Sequence, residues 1–265
     1  MANFSGRILP LLWRHTQPAR RTTGRPPRLS VDAVVTAGIR IADADGLEAA
    51  SMARVAADLG VATMTLYTYV PSRADLIDLM VDEVLAARGL THDPEADFRA
   101  KVADFAGRTR AMHVAHPWLT DVSLVRPPLG PGMLAEREFM IAAVAALGLP
   151  VERVNRAALA ITAFVYAFAR EDAEDARLRS TSGQSTESWW LERNELWERW
   201  FDVEAHPAMT TLWNAGGFHS AEEQTQGAFE YGLNLLLDGI ERSVQPGRQA
   251  EPGRQAEPGR QAGPG

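Results

Sequence analysis

From residue 29 to residue 243 the apolar residues recur mainly at three- and four-residue spacing, the period of a helix buried along one face. Residues 29–45 give the first predicted helix, with Ser30 as cap and Val31, Val34, Val35, Gly38, Ile39 and Ala42 along the inward stripe. A short helix follows over 52–59, capped by Ser51, with Met52, Val55, Ala56 and Leu59 inward; Gly60 stops it, since a left-handed terminal residue is cheap only for glycine. A third short helix turns Leu66 and Val70 inward and leaves Thr63, Thr65, Tyr67, Thr68 and Tyr69 largely outward, until Pro71 ends it. Ser72 caps a fourth helix reaching Gly89, on which Leu76, Leu79, Met80 and Val84 repeat. Further helices are predicted at 98–115, 133–148, 151–177 and 224–243, broken by His116-Pro117-Trp118, by the loop at 126–131, and by a polar, mobile stretch at 178–188. The expected fold is all-α.

Residues 51–73, SMARVAADLGVATMTLYTYVPSR, organise the rest. Two short helices joined by a glycine-containing turn, the second with a hydroxyl-rich outer face, have the layout of a DNA-reading helix-turn-helix. Threonine and tyrosine hydroxyls donate to phosphate oxygens or base edges, and the threonine methyl can touch a thymine methyl. The same spacing also describes an ordinary helical hairpin whose tyrosines cover a core.

The run GLEAASMARVAADLGVATMTLYTYVPSRADLIDLM resembles the DNA-binding domain of the TetR family of bacterial repressors. The likeness rests on Gly46-Leu47, the helix from Met52, Leu59-Gly60-Val61, Leu66-Tyr67, Val70 and Arg73, and covers residues 29–90. It implies that Thr63, Met64, Thr65 and Thr68 face the major groove and that Tyr67, Tyr69 and Arg73 hold phosphates, with Ser51 beside them. Tyr69 stands where the family often has histidine, and Ala53 where some relatives carry a base-reading arginine, so the sequence preference does not transfer. HPWL and RPPLGP resemble the tetracycline-repressor-like ligand-binding domain, which would make residues 91–244 an effector-binding and dimerisation domain. By that likeness the helices at 151–177 and 224–243 pack against their copies in a homodimer, and the tilt of the fourth helix transmits ligand state. A dimer also suits a palindromic operator, because two recognition helices read two half-sites.

Charge supports a division of labour. The net charge of −7 is wrong for a uniform DNA binder, yet residues 1–75 hold nine arginines against six acids, and residues 76–265 eighteen basic groups against twenty-eight acids. Residues 1–28 contain six arginines and no acid. They are expected to be a flexible arm, the first eighteen a solvated leader, with Arg21 and Arg25 entering a minor groove and adding affinity and salt dependence. The closing PGRQAE repeat, residues 245–265, has no large apolar side chain and is expected to be disordered.

Other chemistry is sparse. Zero cysteines exclude disulfides and thiolate sites and suit a cytoplasmic protein, and no run is long and apolar enough to span a membrane. There is no phosphate-binding glycine loop and no nucleophile elbow, so no cofactor is implied. His113 and His116 form an H-x-x-H at a helix end, without the further ligands a metal needs. Trp189, Trp190, Trp197, Trp200 and Phe201 crowd within thirteen residues and cannot share one helical face. Some must therefore be exposed, line a cavity or meet another subunit: they form either an aromatic wedge of core or the wall or lid of a pocket for a flat, aromatic or cationic ligand, with Glu192, Glu195 or Glu198 nearby. The candidate effector site is Met112, Trp118, Met133, Phe139, Phe164, Phe168, Trp190 and Trp197. The reading that results is a ligand-responsive repressor rather than an enzyme. Its alternatives are a helical carrier or enzyme with an incidental helix-turn-helix, and a DNA-compacting protein without effector.

Overall fold

The computed structural model describes residues 8–16, 29–218 and 220–244, and the described residues contain helices and no strand. A short helix α1 (Ile8–Leu12) precedes α2 (Val31–Asp45), α3 (Met52–Asp58), α4 (Thr63–Leu66) and α5 (Arg73–Ala87). The larger part comprises α6 (Phe98–Ala115), α7 (Pro131–Ala145), α8 (Val151–Ser182), α9 (Thr186–Leu191), a π-helical turn (Leu196–Trp200), α10 (Pro207–Asn214) and α11 (Ala221–Arg242).

Several helices start where a short side chain can take an orphan N–H, whereas α4, α7, α8 and α10 begin without such a cap. Ser30, Ser51, Ser72 and Asp97 accept from Ala33, Arg54, Asp75 and Ala100, at 3.1, 3.2, 3.0 and 2.7 Å. Ser220 and Glu223 close a capping box on α11. Gly60 ends the α3 turn at φ 67°, as its position required.

Two cores result. One gathers Val34, Val35, Val55, Leu66, Val70, Leu76, Leu79 and Met80, each no more than 1 % exposed; a buried leucine of this kind contributes roughly 1.5–3 kcal/mol. Met112, Trp118, Leu119 and Met133 belong to this same core, so the larger domain docks on α2 and α5 through a continuous apolar joint. The other packs Phe105, Phe139, Met140, Val144, Ile161 and Val165 with Phe229, Leu233 and Leu237 of α11.

Two stretches depart from the sequence-based expectation. Residues 8–16 are not a solvated leader: Ile8 and Leu12 are buried against α5, and the Trp13 indole donates to the Leu129 carbonyl at 2.8 Å. Arg14 pairs with Asp32 of α2 at 2.6 Å and Glu83 of α5 at 2.8 Å. Pro10 is tolerated because it falls in the first turn of a five-residue helix, where its missing N–H costs nothing. The polar stretch at 178–188 is mostly helix: α8 continues to Ser182, Gly183 caps it at φ 68°, and α9 begins at Thr186.

Candidate DNA-reading face and effector domain

The candidate reading face is set by what α3 and α4 bury. Leu66 and Val70 are 0 % exposed, so the opposite side of α4 must face outward. Met64 (75 % exposed), Thr65, Tyr67 and Thr68 stand there, with Thr63 half-buried beside them. Thr68 donates its hydroxyl to the Thr65 carbonyl at 2.7 Å, which fixes the end of the short helix. Tyr69 is half-buried and packs on the core. Ser51 spends its oxygen as the α3 cap. Arg73 reaches back to the Leu47 carbonyl at 2.8 Å and to Glu48 at 3.2 Å, which anchors the loop ahead of α3. Arg21 and Arg25 lie outside the described residues.

The structure sorts the candidate effector residues into three places. Met112, Trp118 and Met133 are buried in the joint with α2 and α5. Phe139 lies in the second core, stacked on His92 at 5.0 Å and on Phe105 at 6.4 Å. Phe164 and Phe168 meet Phe229 of α11 at 5.9 and 5.3 Å, and the Arg110 guanidinium sits 4.5 Å above the Phe229 ring. Trp190 and Trp197 stand apart on the excursion between α8 and α11, half-exposed, 6.5 Å from one another. Of the eight, Trp197 alone lines the cavity described below.

Charged side chains that the helical pattern did not single out fasten the two domains. Asp82 of α5 is buried and accepts from the Gly132 and Met133 N–H groups at 3.2 and 3.0 Å, at the N-terminus of α7. Burial pushes its carboxyl pKa up, opposed by those two hydrogen bonds. One and a half turns on, Arg88 (7 % exposed) pairs with Glu136 of α7 and donates to Thr109 Oγ1 of α6 at 2.9 Å. Tyr166 of α8 donates to the same Glu136 oxygen at 2.6 Å, and burial, with that carboxylate, raises the phenol's pKa. At the far end of α6, His116 Nδ1 and the Trp118 indole both meet Asp43 Oδ1 of α2 at 2.7 Å. Thus α5 is tied to α7 at two points, and the α6 terminus is tied to α2.

His113 is separate from His116. Its Nδ1 lies 3.0 Å from the Thr109 carbonyl, which requires Nδ1–H as donor and leaves Nε2 an acceptor; buried Nε2 has no partner among the described residues. Burial, more than the nearby Arg88 and Arg170, lowers the imidazole pKa, so the ring is held neutral. The two histidines face different partners, and among the described residues no group of three or more His, Cys, Asp or Glu could hold a metal.

This arrangement matches known proteins over most of the chain. The family described as tetracyclin repressor-like, C-terminal domain, matches residues 90–244. The HTH-type transcriptional repressor DrrR1 of Streptomyces coeruleorubidus is 34% identical over 240 residues, covering 89% of this chain and 85% of the relative. The chain belongs to the TetR family. An HTH-type transcriptional regulator of Saccharopolyspora erythraea is 27% identical, covering 86% of this chain and 90% of its own length. Among solved structures, the TetR-family protein ActR of Streptomyces coelicolor in complex with actinorhodin superposes with a TM-score of 0.67 and 27% identity, over 82% of this chain and 96% of that one. ActR in complex with (S)-DNPA gives 0.65 and 25%, over 81% and 98%. The all-helical fold and the kinship with helix-turn-helix regulators are therefore established. Among the described residues no helix is long and apolar enough to cross a membrane.

Proposed function

We propose that the protein is a ligand-responsive repressor that binds a palindromic operator as a homodimer and leaves it when a small organic effector occupies the α6–α11 domain. The observation that carries this reading is the outward face of α4 and of the turn that follows it, where Met64, Thr65 and Thr68 stand exposed on a platform fixed by fully buried Leu66 and Val70. Exposed threonines and a methionine at a helix-turn-helix suit contact with base edges and thymine methyls. Arg21 and Arg25 precede this domain and would add phosphate contacts.

A homodimer is supported by two helix faces that the single chain leaves uncovered. Along α11, Gly227, Tyr231, Leu235 and Gly239 recur every fourth residue on the exposed side, and Leu159, Ala160, Ala163 and Ala167 line the outside of α8. Small residues on such stripes allow two helix pairs to approach closely. The effector reading draws on kinship with ActR and on the buried His113 acceptor, which suits a polar donor group of a ligand.

Transmission follows from the ties between domains. A ligand that displaces the end of α6 pulls α2 through Asp43, and one that shifts α7 carries α5 through Asp82 and Arg88. The effector must bind the DNA-free arrangement better, and operator DNA must weaken effector binding by the same factor. The test is fluorescence anisotropy on a duplex recovered by random-sequence selection. Thr65→Ala and Met64→Ala are expected to lower selectivity by roughly tenfold, one lost base contact each, with circular dichroism unchanged. Selectivity intact in both variants would remove α4 as the reading element.

A further inference from the structure

The excursion between α8 and α11 holds a half-open cavity of about 320 Å³, separate from both cores. Its wall is aromatic. Trp197 and Trp213 lie nearly parallel, 25° apart with centroids at 6.2 Å, and Phe201 and Phe218 extend the surface on either side at 5.3 and 5.9 Å. Trp213 remains 62 % exposed, so its ring is not being used to fill the chain's interior. An exposed indole of this size offers a flat stacking surface to a planar ligand.

The charge at the rim then selects among flat ligands. Glu192 and Glu195 of this segment are each paired with an arginine, Arg193 and Arg199. Glu198, which lines the cavity, has no cationic partner among the described residues; its carboxylate accepts only from the Asn194 amide at 3.0 Å. Indole faces carry negative electrostatic potential, so the wall and the carboxylate favour the same sign. Nearby, Arg193 lies 4.0 Å above the Trp189 ring, so cation–indole pairing already occurs in this segment.

We infer that this cavity is a binding site for a planar aromatic cation of two or three fused rings, stacked on Trp197 and Trp213 with its charge toward Glu198. His113 is not among the residues lining this cavity, so the inference goes beyond the effector reading by adding a second ligand site, and its binding test needs no DNA. The probes are N-methylacridinium and acridine, the same ring system with and without a fixed charge at pH 8, titrated into the full chain by dye anisotropy and indole quenching. The cation is expected to saturate at one per chain. Trp213→Ala should weaken it by about tenfold, the loss of one stacking surface, and Trp213→Phe should recover part of that loss. Glu198→Gln should weaken the cation by about two- to fivefold and leave acridine unchanged, as expected for one solvent-exposed charge. Absence of cation binding, binding insensitive to Trp213→Ala, or an equal effect of Glu198→Gln on both dyes would overturn the assignment. Loss of dye binding with selective DNA binding retained removes this site alone. Dye binding without selective DNA binding removes the repressor reading and leaves the site standing.

Discussion

Replacing Glu136 with glutamine removes one charge and almost nothing else. Arg88 and Tyr166 both donate to the same carboxylate oxygen, so the glutamine carbonyl can take that place and keep both hydrogen bonds. What is lost is the counter-charge of a guanidinium whose side chain is 2 % exposed, against 12 % for Glu136. Breaking a buried pair by removing one partner costs about 3–5 kcal/mol, and the retained hydrogen bonds put Glu136→Gln at the lower end, about 3 kcal/mol. For a protein of this size each kcal/mol lowers Tm by about 2–4 °C, so the loss should be about 6–12 °C by calorimetry. Adding Arg88→Met removes the stranded charge, and the double variant should recover at least half of the loss. A Glu136→Gln protein within about 2 °C of the parent, or a double variant worse than both singles, would refute the claim that this pair is a buried electrostatic joint.

Three further outcomes are expected. Because burial lowers the His113 pKa in the folded state, its contribution to stability is complete above the unfolded value of about 6.5 and is lost as pH falls. Tm should therefore drop between about pH 7 and pH 5, and His113→Phe should flatten that slope. Gly132→Ala would ordinarily stabilise a helix; here the new Cβ falls 2.2 Å from the Asp82 carbonyl oxygen and 2.8 Å from the Ala86 nitrogen. Urea unfolding should show a loss of about 1–3 kcal/mol or more, and a gain would mean that α5 and α7 are not held together as described. Removing Arg21 and Arg25 together should lower the slope of log affinity against log salt by about 2 without altering sequence preference; an unchanged slope would exclude both from phosphate contact.

Much of the helical framework was legible because apolar spacing and caps agree locally. Ser30, Ser51 and Ser72 announce α2, α3 and α5, and Phe98–Ala115 is bounded by a proline break. The joint was not legible, because Asp82, Arg88 and Glu136 read as ordinary polar positions until α5, α6, α7 and α8 converge on them. Residues 8–16 depart from the solvated leader expected of them for a related reason. Prolines and arginines suggest solvation, but Ile8 and Leu12 need only one neighbouring helix face, and Arg14 finds acids 18 and 69 residues away. The tryptophan-rich segment signalled a surface in excess of core needs, yet its cavity depends on Trp213 and Phe218, which lie beyond that cluster in sequence.

The central claim, that α4 reads a specific site in DNA, is tested most directly by titrating the full chain against its own upstream intergenic DNA and a scrambled duplex across a salt series. Selective binding by two protomers per site, weakening steeply as salt rises, is the expected result. Equal affinity for both duplexes, followed by no enriched sequence from a random-sequence selection at low salt, would contradict it.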